Sequence, residues 1–173
     1  MKSIWLVLAL MLASTALYAA DDLRIRPTVD RNQVVVSFQL DDAYTDAVRD
    51  AIASGLRTTF TYELELRAKG TIWLDRTLAT ATVTISDQYD NLMRRHTLTR
   101  TVDGRVEETV TDDEATVRLW LTKATRIPLC DTGTLDPARD YYVRVTTRTR
   151  PVTGSLIGLQ HSLSAQTRFT FIP

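Results

Sequence analysis

The stretch Leu56-Arg57-Thr58-Thr59-Phe60-Thr61-Tyr62-Glu63-Leu64-Glu65-Leu66-Arg67 decides the fold. Phe60, Tyr62, Leu64 and Leu66 alternate with Thr59, Thr61, Glu63, Glu65 and Arg67. Successive side chains of a strand point to opposite faces, so this period of two makes one face apolar and the other polar. It is a half-buried strand, ended by Lys69-Gly70.

Working upstream, Tyr44, Ala47, Val48, Ala51 and Ile52 recur at helical spacing, with Asp41-Asp42 as capping residues and Gly55 placed to terminate. A helix over about 43–54 is predicted. Before it, Val34, Val36, Phe38 and Leu40 share one face of a strand over 33–40. The turn Asp30-Arg31-Asn32 joins that strand to Leu23-Arg24-Ile25-Arg26 as a candidate hairpin.

Working downstream, Trp73, Thr77, Ala79, Ala81, Val83 and Ile85 mark a long second strand, followed by a turn at Asp90-Asn91 and a strand over 92–102. Asp103-Gly104 is a two-residue hairpin signal, because a primed turn needs positive φ at both central positions. Residues 105–110 then pair back. Thr111-Asp112-Asp113-Glu114 has capping-box spacing ahead of Val117, Trp120, Leu121 and Ala124, which predicts a helix over 112–124. A loop with Pro128, Gly133 and Pro137 leads to a strand over 140–150, with Tyr141, Val143 and Val145 on one side. The tail, with Gly154 and Gly158, is expected to cross irregularly into a terminal strand at 167–171.

Strands interrupted by two isolated helices do not make the repeating βαβ of a parallel sheet. The expected fold is α+β, mainly β: an antiparallel β-sandwich or curled sheet with two short helices, in one domain over residues 21–173.

Several of these segments carry a resemblance. Residues 54–66 after an amphipathic helix, then Trp73-Leu74-Asp75, Gln88-Tyr89-Asp90-Asn91-Leu92, Leu98-Thr99-Arg100, the turn at Asp103-Gly104, Ile127-Pro128-Leu129 and Tyr141-Tyr142-Val143-Arg144-Val145 resemble the bacterial family called domain of unknown function 4390. The likeness covers roughly residues 30–150 and rests on aromatic, glycine and turn positions. The tail after Pro151 lacks the tryptophan-bearing ending associated with that family. The resemblance implies an exported protein of the bacterial envelope and carries no catalytic residues across.

Export is also read from the residues themselves. Lys2, the apolar run Ile4–Leu12 and the small residues Ala13, Ser14, Thr15 and Ala16 have the order of a cleavable signal peptide over 1–20. Ser14/Ala16 suits the cleavage rule best; Ala19 and Ala20 are alternatives. The apolar run falls short of the ~20 residues a spanning helix needs, and no later segment is apolar enough, so no transmembrane segment is expected after cleavage. Localisation is expected to be periplasmic or secreted. Cys130 is the only cysteine and sits at no signal junction, which argues against lipid attachment and excludes an internal disulfide.

The 21 Lys+Arg balance 21 Asp+Glu. A nucleic-acid binder usually carries a basic excess, so nucleic acid is not an expected partner. Lys2, Lys69 and Lys123 are the only lysines. Arginines at 94, 95, 100, 105, 144, 148 and 150 would make a patch for lipid phosphates or an acidic partner if their strands were neighbours. Solvent-facing arginine on antiparallel strands is the plainer account.

The sharpest chemical motif is Asp131-Thr132-Gly133, which is similar to the loop that supplies one carboxylate of an aspartic protease dyad. With one such loop a homodimer would be obligatory, and the spacing to Leu156-Ile157-Gly158 is too short for the supporting segment. Asp, Thr and Gly are also ordinary turn residues. His96, His161 and Cys130 are far apart in sequence, unlike zinc ligands. The acids Asp41/Asp42/Asp46/Asp50 and Asp112/Asp113/Glu114 lack the alternation and central glycine of a calcium loop and suit helix starts. The aromatic pairs Phe60/Tyr62 and Phe169/Phe171 would line a cavity for an apolar ligand, or simply make a core. No catalytic, cofactor-binding or metal-binding residues are therefore assigned. The expectation is a non-catalytic binding or assembly module whose partner is an envelope protein or lipid component. A hydrolase through Asp131 and a carrier of apolar ligands stand as alternatives.

Overall fold

The computed structural model describes residues 23–70, 74–151 and 162–171. β1 (Leu23–Asp30) and β2 (Gln33–Leu40) form the expected hairpin. Arg31 and Asn32 close it with φ of 47° and 64°, the positive values a primed turn demands. Val34, Val36, Phe38 and Leu40 are buried, as their alternation predicts.

The first helix is shorter than predicted. Asp41–Ala43 makes a separate 3-10 turn, and α1 spans Asp46–Ala53. Thr45 is the cap, its hydroxyl accepting from the Val48 amide at 3.3 Å, so Asp41 and Asp42 stay outside the helix. Gly55, at φ 80°, ends it: the Leu56 amide reaches back to the Ala51 carbonyl at 3.1 Å.

β3 (Thr58–Ala68) pairs with β4 (Arg76–Asp90) along its whole length, and its inward residues Phe60, Tyr62, Leu64 and Leu66 are fully buried. Trp73, counted with the β4 row, lies outside the described residues. β5 (Arg95–Val102) starts three residues later than predicted. The reason is local: Asp90 accepts from the Leu92 and Met93 amides at 2.8 and 3.0 Å, closing a turn that leaves Leu92 in solvent. Asp103 and Gly104, at φ 46° and 84°, then turn the chain into β6 (Arg105–Thr111).

α2 covers Glu114–Thr122, within the predicted span. Asp113 rather than Thr111 caps it, accepting from the Ala115 and Thr116 amides. Ala124, read as helical, belongs instead to β7 (Lys123–Asp131), a strand hidden in the predicted helix end and loop. Arg126 at φ 57° and two register shifts break the β7 pairing with β2, so no period of two is visible there. β8 (Asp140–Pro151) and β9 (Ser162–Thr170) complete the described elements. The irregular crossing with Gly154 and Gly158 lies outside the described residues.

All pairings are antiparallel, in two sheets that are not closed into one. One has the order β1-β2-β7 and the other β6-β5-β4-β3-β8-β9. Their inner faces share one core, where the Phe38 and Tyr62 rings meet at 4.6 Å. Val117 and Leu121 of α2 enter the same core, and the Tyr62 hydroxyl donates to the Leu121 carbonyl at 2.8 Å. On one flank β7 leans on β4 and β3; on the other β1 runs beside β9.

Candidate functional site

Among the described residues, β1 pairs only with β2 and β9 only with β8. These two free edges, one from each sheet, face each other across a groove of about 730 Å³. Strand alternation sorts its walls. Leu23 and Ile25 on β1, with Ala165 on β9, point toward the interior, whereas Arg24, Arg26 and Gln166 point outward. Arg144, the β8 residue opposite Gln166, adds a third arginine, and none of the described residues lining the groove is a carboxylate. Arg24 reaches Asp41 at 3.7 Å, while Arg26 has no ion-pair partner among the described residues. Pro27 also sits on β1, where an edge strand tolerates a residue without an N–H.

The outer face of the larger sheet beside this groove is ordered. Tyr142 lies between Arg67 and Arg144, each guanidinium 5.9 Å from its ring. Its hydroxyl donates to Asp75 at 2.6 Å, and the Gly70 amide donates to the same carboxylate at 3.0 Å. The Tyr142 bond, then the Gly70 bond, hold the Asp75 carboxyl below its ordinary range. Burial and the Asp75 contact push the Tyr142 phenol up.

The strands carrying the arginines of the predicted patch are not all neighbours, so the condition for a single patch is not met among the described residues. β8 stands three strands away from β5 in the sheet order, so Arg144 and Arg148 are separated from Arg95, Arg100 and Arg105. Arg144 and Arg148 face Glu65 and Glu63 at 3.9 and 3.7 Å. Arg100 points inward instead. Its guanidinium stacks 4.1 Å from the Trp120 ring, donates to the Trp120 and Lys123 carbonyls, and lies 3.5 Å from Glu107. Arg94 belongs to the β4–β5 turn. The side chain of Arg150 is outside the described residues.

A second polar cluster sits at the helix-bearing end. Asp87 is wholly buried on β4, and the Nδ1 of His96 on β5 lies 2.9 Å from its Oδ2. Tyr89 packs on the imidazole at 4.5 Å between centroids. Burial raises the Asp87 carboxyl and the contact with His96 opposes it. Tyr44, in the segment before α1, donates to Glu114 at 3.4 Å. Burial first, then Glu114, pushes its phenol up to about 12.

Asp131 serves its own turn. Its Oδ1 accepts from the Gly133 amide at 2.7 Å, and the Thr134 hydroxyl donates to its carbonyl at 2.7 Å. The motif stands exposed at the end of β7, tied to the first hairpin through the Thr132 amide and the Asn32 carbonyl. Cys130 is half-buried, and burial pushes its thiol up. The described residues contain no group of three His, Cys, Asp or Glu arranged to hold a metal ion; His161 and Leu156-Ile157-Gly158 lie outside them. Phe60 and Tyr62 are fully buried in the shared core and Phe169 joins it, so these rows fill space rather than line a cavity.

Sequence reasoning found the arginines of β8 but missed Arg24 and Arg26 as partners of Arg144. Their meeting depends on β1 lying beside β9, a contact spanning most of the chain. The visible signal was the apolar-Arg-apolar-Arg-Pro run from Leu23 to Pro27, a charged edge strand.

No helix among the described residues is long and apolar enough to cross a membrane. No curated protein and no solved structure gives a significant match. The model of the family described as Domain of unknown function (DUF4390) matches residues 21–153, and the chain belongs to that family.

Proposed function

We propose that this chain is an exported cell-envelope protein, periplasmic or secreted, that works by binding a partner rather than by catalysis. The observation that carries this is the arginine-lined groove between the free edges of β1 and β9. Unpaired edge N–H and C=O groups are strong recognition elements, and natural folds normally cover or blunt them. Here two edges are presented together beside an apolar floor, on a framework fixed by one continuous core. The signal-like residues 1–20 support export, and their removal is checked by the mass of the mature protein in cell fractions.

The test places a photocrosslinking residue at Gln166 in the groove, or at Val106 on the opposite sheet edge, in intact cells. A discrete envelope adduct from position 166 and none from 106 is expected. Equal labelling from both positions, or none from either, would remove the groove as the working surface.

A further inference from the structure

The turn between β4 and β5 carries the most exposed large apolar side chain among the described residues, Leu92 at 95% exposure, with Met93 next to it at 66%. The fold leaves both in solvent. Their backbone is nevertheless fixed. Asp90 accepts from both amides, Arg94 sits at φ 53°, the Asn91 side chain lies against Gly55 at the end of α1, and the Gln88 side chain donates to the Gly55 carbonyl at 2.7 Å. A turn held this way keeps Leu92 and Met93 pointing outward. Arg94 and Arg95 follow directly, both exposed, and neither forms an ion pair among the described residues. The carboxylate of the turn, Asp90, is committed to backbone amides.

We infer that this tip docks the protein on an anionic bilayer surface, with Leu92 and Met93 entering the boundary between headgroups and acyl chains and Arg94 and Arg95 meeting the lipid phosphates. Exposed apolar side chains flanked by basic ones are the combination that peripheral membrane attachment uses. An arginine lays its stem along the apolar boundary while its guanidinium stays at phosphate level. A bilayer also accepts a protruding tip without a matching cavity, whereas a protein partner would have to supply a pocket for a side chain 95% exposed. Each basic residue near an anionic surface is worth about fivefold in partitioning. Burying a leucine or methionine adds about tenfold or more. Two of each give a reversible attachment, not a permanent one. The surface is separate from the groove: β3 and β8 lie between β4 and β9 in the sheet order, so a partner in the groove and a membrane at the tip do not compete.

The test is flotation of the exported chain with vesicles of phosphatidylglycerol and phosphatidylcholine in equal parts, or of phosphatidylcholine alone. The parent is expected to bind the mixed vesicles, and phosphatidylcholine alone roughly tenfold less or weaker still. Leu92→Ser with Met93→Ser should lose roughly tenfold or more on the mixed vesicles. Arg94→Asn with Arg95→Gln, in which asparagine tolerates the φ of 53°, should erase the preference for them. An environment-sensitive fluorophore attached through Leu92→Cys in a Cys130→Ser background should shift to the blue on the mixed vesicles. One attached through Val106→Cys, exposed beside the turn at the other end of β5, should not. No flotation of the parent, equal flotation of the parent and the Leu92/Met93 variant, indifference to phosphatidylglycerol, or an unshifted fluorophore at position 92 overturns the inference. A discrete protein adduct from a photocrosslinker at Leu92 in cells, without lipid adducts, overturns it in favour of a protein partner.

Discussion

His96 on β5 holds the carboxylate of Asp87 on β4, Nδ1 to Oδ2 at 2.9 Å, while the second oxygen of Asp87 has no hydrogen-bond partner among the described residues. A wholly buried carboxylate with a single side-chain partner depends heavily on that partner.

His96→Ala should therefore destabilise the fold by about 3 kcal/mol near neutral pH, the range seen when one member of a buried pair is removed. The sign of its pH dependence follows from burial, which raises the Asp87 carboxyl. A carboxyl raised in the folded state favours folding when protonated and opposes it once pH exceeds its unfolded value, about 3.9. The deficit should shrink toward pH 4 and grow above it, and Asp87→Asn in the same chain should recover part of it. Urea unfolding at pH 4 and pH 7 measures this; equal deficits would show that the pair is not what His96 contributes.

Tyr62→Phe removes only the hydroxyl that donates to the Leu121 carbonyl at 2.8 Å. That carbonyl belongs to the last turn of α2, where intrahelical donors have run out. The expected cost is about 1–2 kcal/mol. Burial holds the Tyr62 phenol well above its ordinary range, so the cost should be the same from pH 6 to pH 9. A strong pH dependence in that window would contradict the assignment.

Gly55 and Gly104 share positive φ, 80° and 84°, but not surroundings. A Cβ at Gly55 would stand 2.9 Å from Asn91 Nδ2, whereas nothing lies within 4 Å of one at Gly104. Gly104→Ala should cost about 1 kcal/mol from backbone conformation alone. Gly55→Ala should cost more, because Asn91 must also move. Midpoints of chemical unfolding rank the two, and the reverse order would refute this reading of the α1 terminus.

Asp131→Asn keeps an oxygen where the Gly133 amide donates and removes only the charge. Its melting temperature should stay within about 2 °C of the parent, since exposed substitutions that keep their contacts are nearly neutral. The groove adduct from Gln166 should persist. An intact fold with a peptide-hydrolysing activity lost in this variant would restore the hydrolase alternative.

The elements with unbroken local patterns were legible before folding. β3, β4, β8 and the hairpin turns at Arg31-Asn32 and Asp103-Gly104 lie where alternation and turn chemistry put them. The family was legible too, from its aromatic and turn positions. Helix ends were less so, because Thr45 and Asp113 competed with neighbouring residues able to cap.

Three features belong to tertiary structure alone. β7 is a strand because β2 pairs with it through Phe38 opposite Ala124, despite the break at Arg126 and the proline at 128. Arg100 turns inward because Trp120 and two backbone carbonyls receive it there. The groove exists because β1 and β9, near opposite ends of the chain, come side by side without pairing. Periodicity reports which face of a strand is buried, since that depends on neighbours two or four residues away. Which strands become neighbours depends on how two whole sheets cover one core, and no local pattern carries that information.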